Sequence, residues 1–147
     1  MHIRQMSVGD VAAVAAIEAG SLSPWSRRQL AAELQKKTGR ALVAEASGGK
    51  IEAWCCGLQA GTDAELLKIT VQLEKRRGGV AEALLLELYS QFADHGMEQM
   101  FLEVRSRNYP ALQLYAKLGW QETGRRKNYY KGPADDAVVL VRRLQNF

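Results

Sequence analysis

The chain has 147 residues, 47% of them apolar and 24% charged, and a formal net charge of +4. That profile fits one globular domain with a sizeable core, expected to occupy residues 1–147. No long basic block marks a dedicated nucleic-acid binder, and no apolar run approaches the ~18 residues that span a bilayer. The N-terminus, Met1-His2-Ile3-Arg4-Gln5, lacks the apolar centre of a signal peptide. The expectation is a cytoplasmic, soluble chain that contacts neither membrane nor nucleic acid directly.

The two cysteines, Cys55 and Cys56, are adjacent. Neighbours on a strand point to opposite faces, so they are badly placed to bridge each other, and they form no CxxC metal pattern. They read as small buried hydrophobes in a reducing compartment. No metal is expected.

In chain order, residues 3–6 read as a short strand, and Asp10 can cap a helix that runs to about Ala19, where Gly20 stops it. Ser26 and Gln29 form a capping box, opening a helix that ends near Lys36. Trp25, just before the cap, reads either as a lid over a binding site or as a hydrophobic staple. Residues 41–45 and 51–59 are strands around the Ser47-Gly48-Gly49-Lys50 turn, and 65–71 is a third strand after the turn at 61–63. A basic, glycine-bearing turn, Lys75-Arg76-Arg77-Gly78-Gly79, leads into a helix from about Val80, with Ala81, Leu84, Leu85, Leu88 and Phe92 on one face. His95-Gly96 ends it. Residues 99–104 form another strand, and so long a connection implies a parallel pair. Asn108 or Tyr109 caps the next helix, with Pro110 in its first turn and Gly119 at its end. Residues 120–127 and 137–144 are closing strands joined through 128–133. The order β-α-α-β-β-β-α-β-α-β-β describes an α/β (α+β) domain, a mixed sheet of about seven strands with helices on both faces.

Three features carry chemistry. In the basic turn, small residues let backbone N–H groups approach an anion at a helix N-terminus. The turn contains neither GxxxxGK[ST] nor GxGxxG, and a tight connection with solvated arginines remains the alternative reading. Glu103 lies near the carboxyl end of a strand, where ligands bind in parallel sheets, on a face shared with Phe101. Tyr115 lies on the apolar face of the following helix. Singly these read as a surface carboxylate and a core aromatic; with an anion turn alongside, they read as a base and an acid facing one cleft.

The turn and the segment ending in Tyr115-Ala116-Lys117-Leu118-Gly119-Trp120 resemble the GNAT superfamily of acetyl-coenzyme A-dependent N-acetyltransferases. Arg76, Gly79 and Ala81 satisfy the family's [Q/R]-x-x-G-x-[G/A] signature. Asn108, Ala111, Leu114, Tyr115, Gly119 and Trp120 fall in register with N-x-x-A-x-x-[L/F]-Y-x-x-x-G-[F/W]. Three strings, Pro24-Trp25-Ser26, Leu102-Glu103-Val104-Arg105 and Arg126-Lys127-Asn128-Tyr129-Tyr130, are similar to those of ribosomal-protein-alanine N-acetyltransferases. A departure is Gln72-Leu73, where the family usually has Asp-Pro.

The resemblance implies acetyl-CoA as co-substrate. Ile69, Thr70 and Val71 would offer backbone groups to its pantetheine arm. Arg76, Arg77, Gly78, Gly79, Val80, Ala81 and Glu82 would grip its pyrophosphate, and Asn108 would contact it too. It further implies Glu103 as general base, Tyr115 as general acid, and an oxyanion donor among the backbone N–H groups near Val71. The acceptor would be the N-terminal alanine of a small-subunit ribosomal protein, bordered by Trp25, Tyr129 and Tyr130, and the enzyme a monomer or weak dimer. Tyr129 and Tyr130 read equally as packing residues of a closing hairpin. A small-molecule amine or a lysine side chain is the alternative acceptor. A non-catalytic acyl-CoA-binding or interaction module is the alternative of another class.

Overall fold

The computed structural model describes residues 1–144. Its strands are β1 (His2–Gln5), β2 (Gly39–Glu45), β3 (Ile51–Ala60), β4 (Asp63–Val71), β5 (Gln99–Arg105), β6 (Gln121–Lys131) and β7 (Ala134–Arg143). Its α-helices are α1 (Val11–Glu18), α2 (Arg27–Leu34), α3 (Val80–Asp94) and α4 (Tyr109–Lys117). The element order is the one the sequence implies. The strands form one seven-stranded sheet in the order β1-β2-β3-β4-β5-β7-β6. Among the described residues only β4 and β5 pair in parallel; the other neighbours are antiparallel.

Local chemistry explains the helix limits. Ser26 Oγ accepts from the Gln29 N–H at 3.2 Å, while Gln29 Oε1 accepts from the Ser26 N–H at 2.7 Å, closing the expected capping box. Asn108 Oδ1 accepts from the Ala111 N–H at 3.3 Å and caps α4, with Pro110 in the first turn. Gly119, with φ of +91°, ends that helix in the left-handed region. Trp120 then donates from Nε1 to the Tyr89 hydroxyl at 2.7 Å, tying the end of α4 to α3.

Two cores flank the sheet. On one face Leu84, Leu85, Leu88 and Phe92 of α3 pack against Leu42, Cys55, Leu66, Met100 and Leu102. On the other, Val14 of α1 and Leu30 of α2 pack against Val43, Trp54 and Cys56. Burying each such leucine is worth roughly 1.5–3 kcal/mol, so α3 is the strongest single anchor of the sheet. Cys55 and Cys56 point to opposite faces, free and buried. Burial pushes the Cys55 thiol up to about 12 and the Cys56 thiol well above its ordinary value, so both stay protonated.

One expectation is corrected. The segment 128–133 is not a loop between the closing strands. β6 continues to Lys131, and the register jump between Arg126 and Tyr130, with Asn128 at φ +54°, keeps it paired with β7. A bulge absorbs the extra residues, and only the Gly132-Pro133 pair is left to turn the chain. Among the described residues, no helix is long and apolar enough to cross a membrane.

Candidate active site

The site begins with a defect in the sheet. Cys56 of β3 faces Lys68 of β4, whereas Gly57 faces Leu66, so Leu67 is an extra residue on β4. Such a bulge bends its strand and re-aims the residues beyond it. β4 accordingly pairs with β5 only at Ala64↔Met100 and Glu65↔Phe101. Beyond those pairs the two strands part. The parting opens a cleft of about 1570 Å³, lined by 66–71 of β4 and 102–105 of β5. That exceeds the roughly 300–1,000 Å³ of a drug-sized ligand site, so the cleft suits a long ligand or two ligands at once. The β4 edge that β5 abandons carries main-chain groups able to receive an extended ligand as a strand would.

The basic turn closes one end of the cleft. Leu73–Lys75 form a short 3-10 turn. Arg76 donates from Nε to the Val71 carbonyl at 3.2 Å and so pins the turn to the end of β4. Arg77 sits at φ +68° and Gly79 at φ +83°. Gly79 is the N-cap of α3, and its carbonyl accepts from the Ala83 N–H. The N–H groups of Val80, Ala81 and Glu82 therefore have no acceptor within the helix, which is the geometry of an anion site. Lys75, Arg76, Arg77, Arg107 and Lys117 also line the cleft. Unpaired amides, a cationic rim and a free strand edge together fit an extended ligand that carries phosphate at one end. Gly78 lies in the turn but does not line the cleft.

Glu103 and Tyr115 reach the cleft from opposite sides of the sheet. On β5, Leu102 and Val104 point into the α3/α4 core, so the alternating Glu103 projects to the α1/α2 face. Its Oε2 lies 3.3 Å from Arg126 Nε without a hydrogen bond of proper geometry. Tyr115 belongs to the α3/α4 core, 5% exposed, its ring 5.5 Å from that of Trp120. Burial raises its hydroxyl well above the ordinary tyrosine range, so it stays protonated and keeps a proton to donate. Elsewhere the continuous sheet separates its two faces. Where β4 and β5 part, a carboxylate from one face and a phenol from the other line the same cavity.

The structure treats the other sequence candidates unequally. Ile69, Thr70 and Val71 form the β4 wall, and Asn108 lies at the far rim with its carbonyl committed to the α4 cap. Trp25 is placed between a packing cluster and the cleft. It packs edge-on against Trp54 at 5.6 Å and shares Leu30's cluster, yet it also lines the cleft. Tyr130 lines the cleft under the Arg105 guanidinium, 4.3 Å from the ring centre. Tyr129 does not line it; 46% exposed, it stacks edge-on against Tyr130 and lies beneath Arg126.

Sequence reasoning passed over several residues at the site. Arg126, seen only as part of a string, faces the Glu103 carboxylate. Glu65 is raised above the ordinary carboxylate range, first by burial and then by the charge of Glu103. The fully buried Glu18 pairs with Lys68, a half-buried residue that lines the cleft. No spacing rule reveals these, because each depends on which strands become neighbours. Asp135, which also lines the cleft, and Asp136 tie the β6–β7 hairpin to neighbouring backbone. Asp135 accepts from Ser106 Oγ and the Arg107 N–H, and Asp136 from the Asn128 N–H.

A bulged β4 parting from β5, an anion turn at the N-terminus of the intervening helix, and a buried tyrosine across the gap define the architecture of an acetyltransferase. The chain belongs to the acetyltransferase (GNAT) family, whose profile matches residues 11–120. Among named relatives, a Bacillus subtilis (strain 168) protein described as a candidate [ribosomal protein bS18]-alanine N-acetyltransferase is 30% identical over 139 residues, 94% of this chain and 92% of that protein. The [ribosomal protein bS18]-alanine N-acetyltransferase of Escherichia coli (strain K12) is 29% identical over 120 residues, 80% of each chain. The crystal structure of the ribosomal-protein-S18-alanine N-acetyltransferase from Escherichia coli superposes with a TM-score of 0.90 at 28% identity, covering 99% of this chain and 95% of that one.

Proposed function

We propose that the protein transfers the acetyl group of acetyl-CoA to the N-terminal α-amine, probed first as alanine, of a small-subunit ribosomal protein. The observation that carries this reading is the parting of β4 from β5, with Glu103 on one side of the gap and Tyr115 on the other. The names of the relatives that span most of the chain supply the acceptor class.

Acetyl-CoA brings the acetyl group as a thioester, already activated toward amines. The chain's residues do the rest. The β4 edge at Ile69, Thr70 and Val71 aligns the pantetheine arm, the N–H groups of Arg77 and of residues 79–82 hold the pyrophosphate with Gly78 shaping the turn, and Asn108 adds a contact. An N–H near Val71 stabilises the negative charge that gathers on the carbonyl oxygen. Glu103 takes a proton from the attacking ammonium, directly or through a water. A free α-amine has a pKa of about 7.7–8.0 against about 10.4 for lysine, so a single carboxylate suffices for the former. As the C–N bond forms and the C–S bond breaks, coenzyme A leaves as a thiolate that accepts a hydrogen bond from Tyr115, and the second proton of the amine passes to water. The raised pKa of Tyr115 favours that donation over outright loss of its proton, because an ordinary thiol near 8.5 is the stronger acid. Trp25 and Tyr130 flank the acceptor, with Tyr129 supporting Tyr130 from outside.

The test is mass spectrometry of a synthetic peptide bearing the ribosomal-protein N-terminus, incubated with the enzyme and acetyl-CoA. Lysine peptides and polyamines serve as competing acceptors. One acetyl group on the α-amine is expected. Glu103→Gln is expected to cut turnover by about 10²–10⁴-fold, as loss of a general base does. Preferential acetylation of lysine or a polyamine would move the assignment to the alternative acceptors. Coenzyme binding with no amine turned over would make the chain an acyl-CoA-binding module.

A further inference from the structure

Glu18, the last residue of α1, is charged yet fully buried. Its Oε2 accepts from Thr70 Oγ1 at 3.0 Å and from Ser21 Oγ at 3.1 Å, and lies 3.7 Å from Lys68 Nζ. Lys68 in turn donates from Nζ to the Ser23 carbonyl at 2.9 Å and to Ser21 Oγ at 3.5 Å. Thr70 and Lys68 stand on β4, within the stretch that walls the cleft; Ser21 and Ser23 stand on the connection between α1 and α2. The network thus spans from the donor wall to a segment outside any helix or strand, and that segment also lines the cleft.

A buried ion pair contributes little net stability over apolar residues of the same volume, because desolvation offsets the attraction. What it does supply is direction: each charge is costly unless its partners stay in place. Here the partners include the Ser23 carbonyl and the Ser21 hydroxyl of the 20–25 segment, so the segment cannot lift without Lys68 losing both hydrogen bonds and keeping only its 3.7 Å contact with Glu18. Trp25 closes the same segment by packing on Trp54. The bulge at Leu67 aims this part of β4 at the α1/α2 side, the face from which Glu103 reaches the cleft.

We propose that Lys68, held by Glu18, is a positioning residue that latches the 20–25 segment over the acceptor half of the cleft and thereby sets acceptor affinity. The inference rests on the acetyltransferase reading for its kinetic consequence, whereas the latch itself is independent of the acceptor's identity.

Two measurements on the full chain decide it. Hydrogen exchange followed by mass spectrometry reads the latch, comparing residues 20–26 with α3 as internal control. Lys68→Met keeps the apolar stem and removes the charge; Glu18→Gln/Lys68→Met removes both charges, so no naked carboxylate is left to unfold the domain. In both variants exchange over 20–26 is expected to quicken by about tenfold with α3 unchanged, the mark of local opening. Lys68→Arg, which retains charge and donors, should restore the parental rate. In steady-state assays the two uncharged variants should raise the acceptor peptide's KM by about tenfold while the KM for acetyl-CoA stays within about twofold. Parental exchange rates in both variants overturn the proposal. So does a parallel rise in both KM values, which a general loosening of the fold would produce. If the parent acetylates no peptide, the functional reading fails and the exchange result alone decides the latch.

Discussion

Arg126 Nε lies 3.3 Å from Oε2 of Glu103, so the proposed base already faces a cation before any amine arrives. Arg126 is 60% exposed at its side chain and rests against the Tyr129 ring, so it can swing aside. Acceptor ammonium and guanidinium compete for one carboxylate, and that competition has a measurable cost.

Arg126→Ala is expected to lower the acceptor's KM. With Arg126 60% exposed and Glu103 18% exposed, solvent reaches the guanidinium end of the pair, and the roughly 0.2–1 kcal/mol of a screened pair caps the improvement at about fivefold. Steady-state kinetics at low and high salt check this, since salt screens the parental pair and should narrow the gap. An unchanged KM at low salt would place the acceptor amine away from Glu103.

Tyr115→Phe is expected to reduce kcat by about 10²-fold or more while leaving the fold intact, because the ring keeps its packing on Trp120. Burial holds the phenol protonated well past its ordinary range. The variant should therefore lose activity evenly from pH 6 to 9, by about the same factor at each pH, without moving the acid limb of the pH–rate profile. A shifted acid limb would mean that Tyr115 acts on the base and not on the leaving sulfur.

Gly57→Ala tests the bulge that opens the cleft. A Cβ there would meet Phe92 Cε2 at 2.8 Å and the Glu65 carbonyl oxygen at 2.9 Å. The ring can shift, but the main-chain oxygen cannot move cheaply, so destabilisation of about 1–3 kcal/mol is expected. Chemical denaturation measures it. A neutral result would show that β4 slides freely past β3 at the bulge.

Asp10→Asn tests the clamp between β1 and the turn before α1. Arg4 donates to Asp10 at 2.8 and 2.9 Å and to Glu45 at 2.6 Å. The Arg4 guanidinium, and then the Ser7 N–H and hydroxyl, hold the Asp10 carboxyl down at about 2. A depressed carboxylate stabilises the fold above its unfolded value of 3.8, and that stability is lost as pH falls toward 2. Partial solvent screening leaves on the order of 1 kcal/mol for the variant to lose at pH 7. Melting temperatures should differ at pH 7 and converge only below about pH 2, where the Asp10 carboxyl is protonated in the folded chain as well.

Much of this protein was legible in its sequence because local rules act over a few residues. The Ser26/Gln29 box, the Asn108 cap, the strand alternation around Glu103 and the apolar stripe from Leu84 to Phe92 each declare an element and its buried face. The element order followed, and the two signature strings named the family. The bulged end of β6 escaped, since hairpin pairing through Asn128 depends on β7 and not on the residues themselves. Tertiary structure alone decided that β4 leaves β5 after Glu65, that Glu103 and Tyr115 line one cleft from opposite faces, that Lys68 lines it beside Glu18, and that Arg126 faces Glu103. Those placements bring together residues far apart in the chain. Their geometry depends on a one-residue bulge at Leu67 and on which strands become neighbours, and no periodicity of the sequence encodes either.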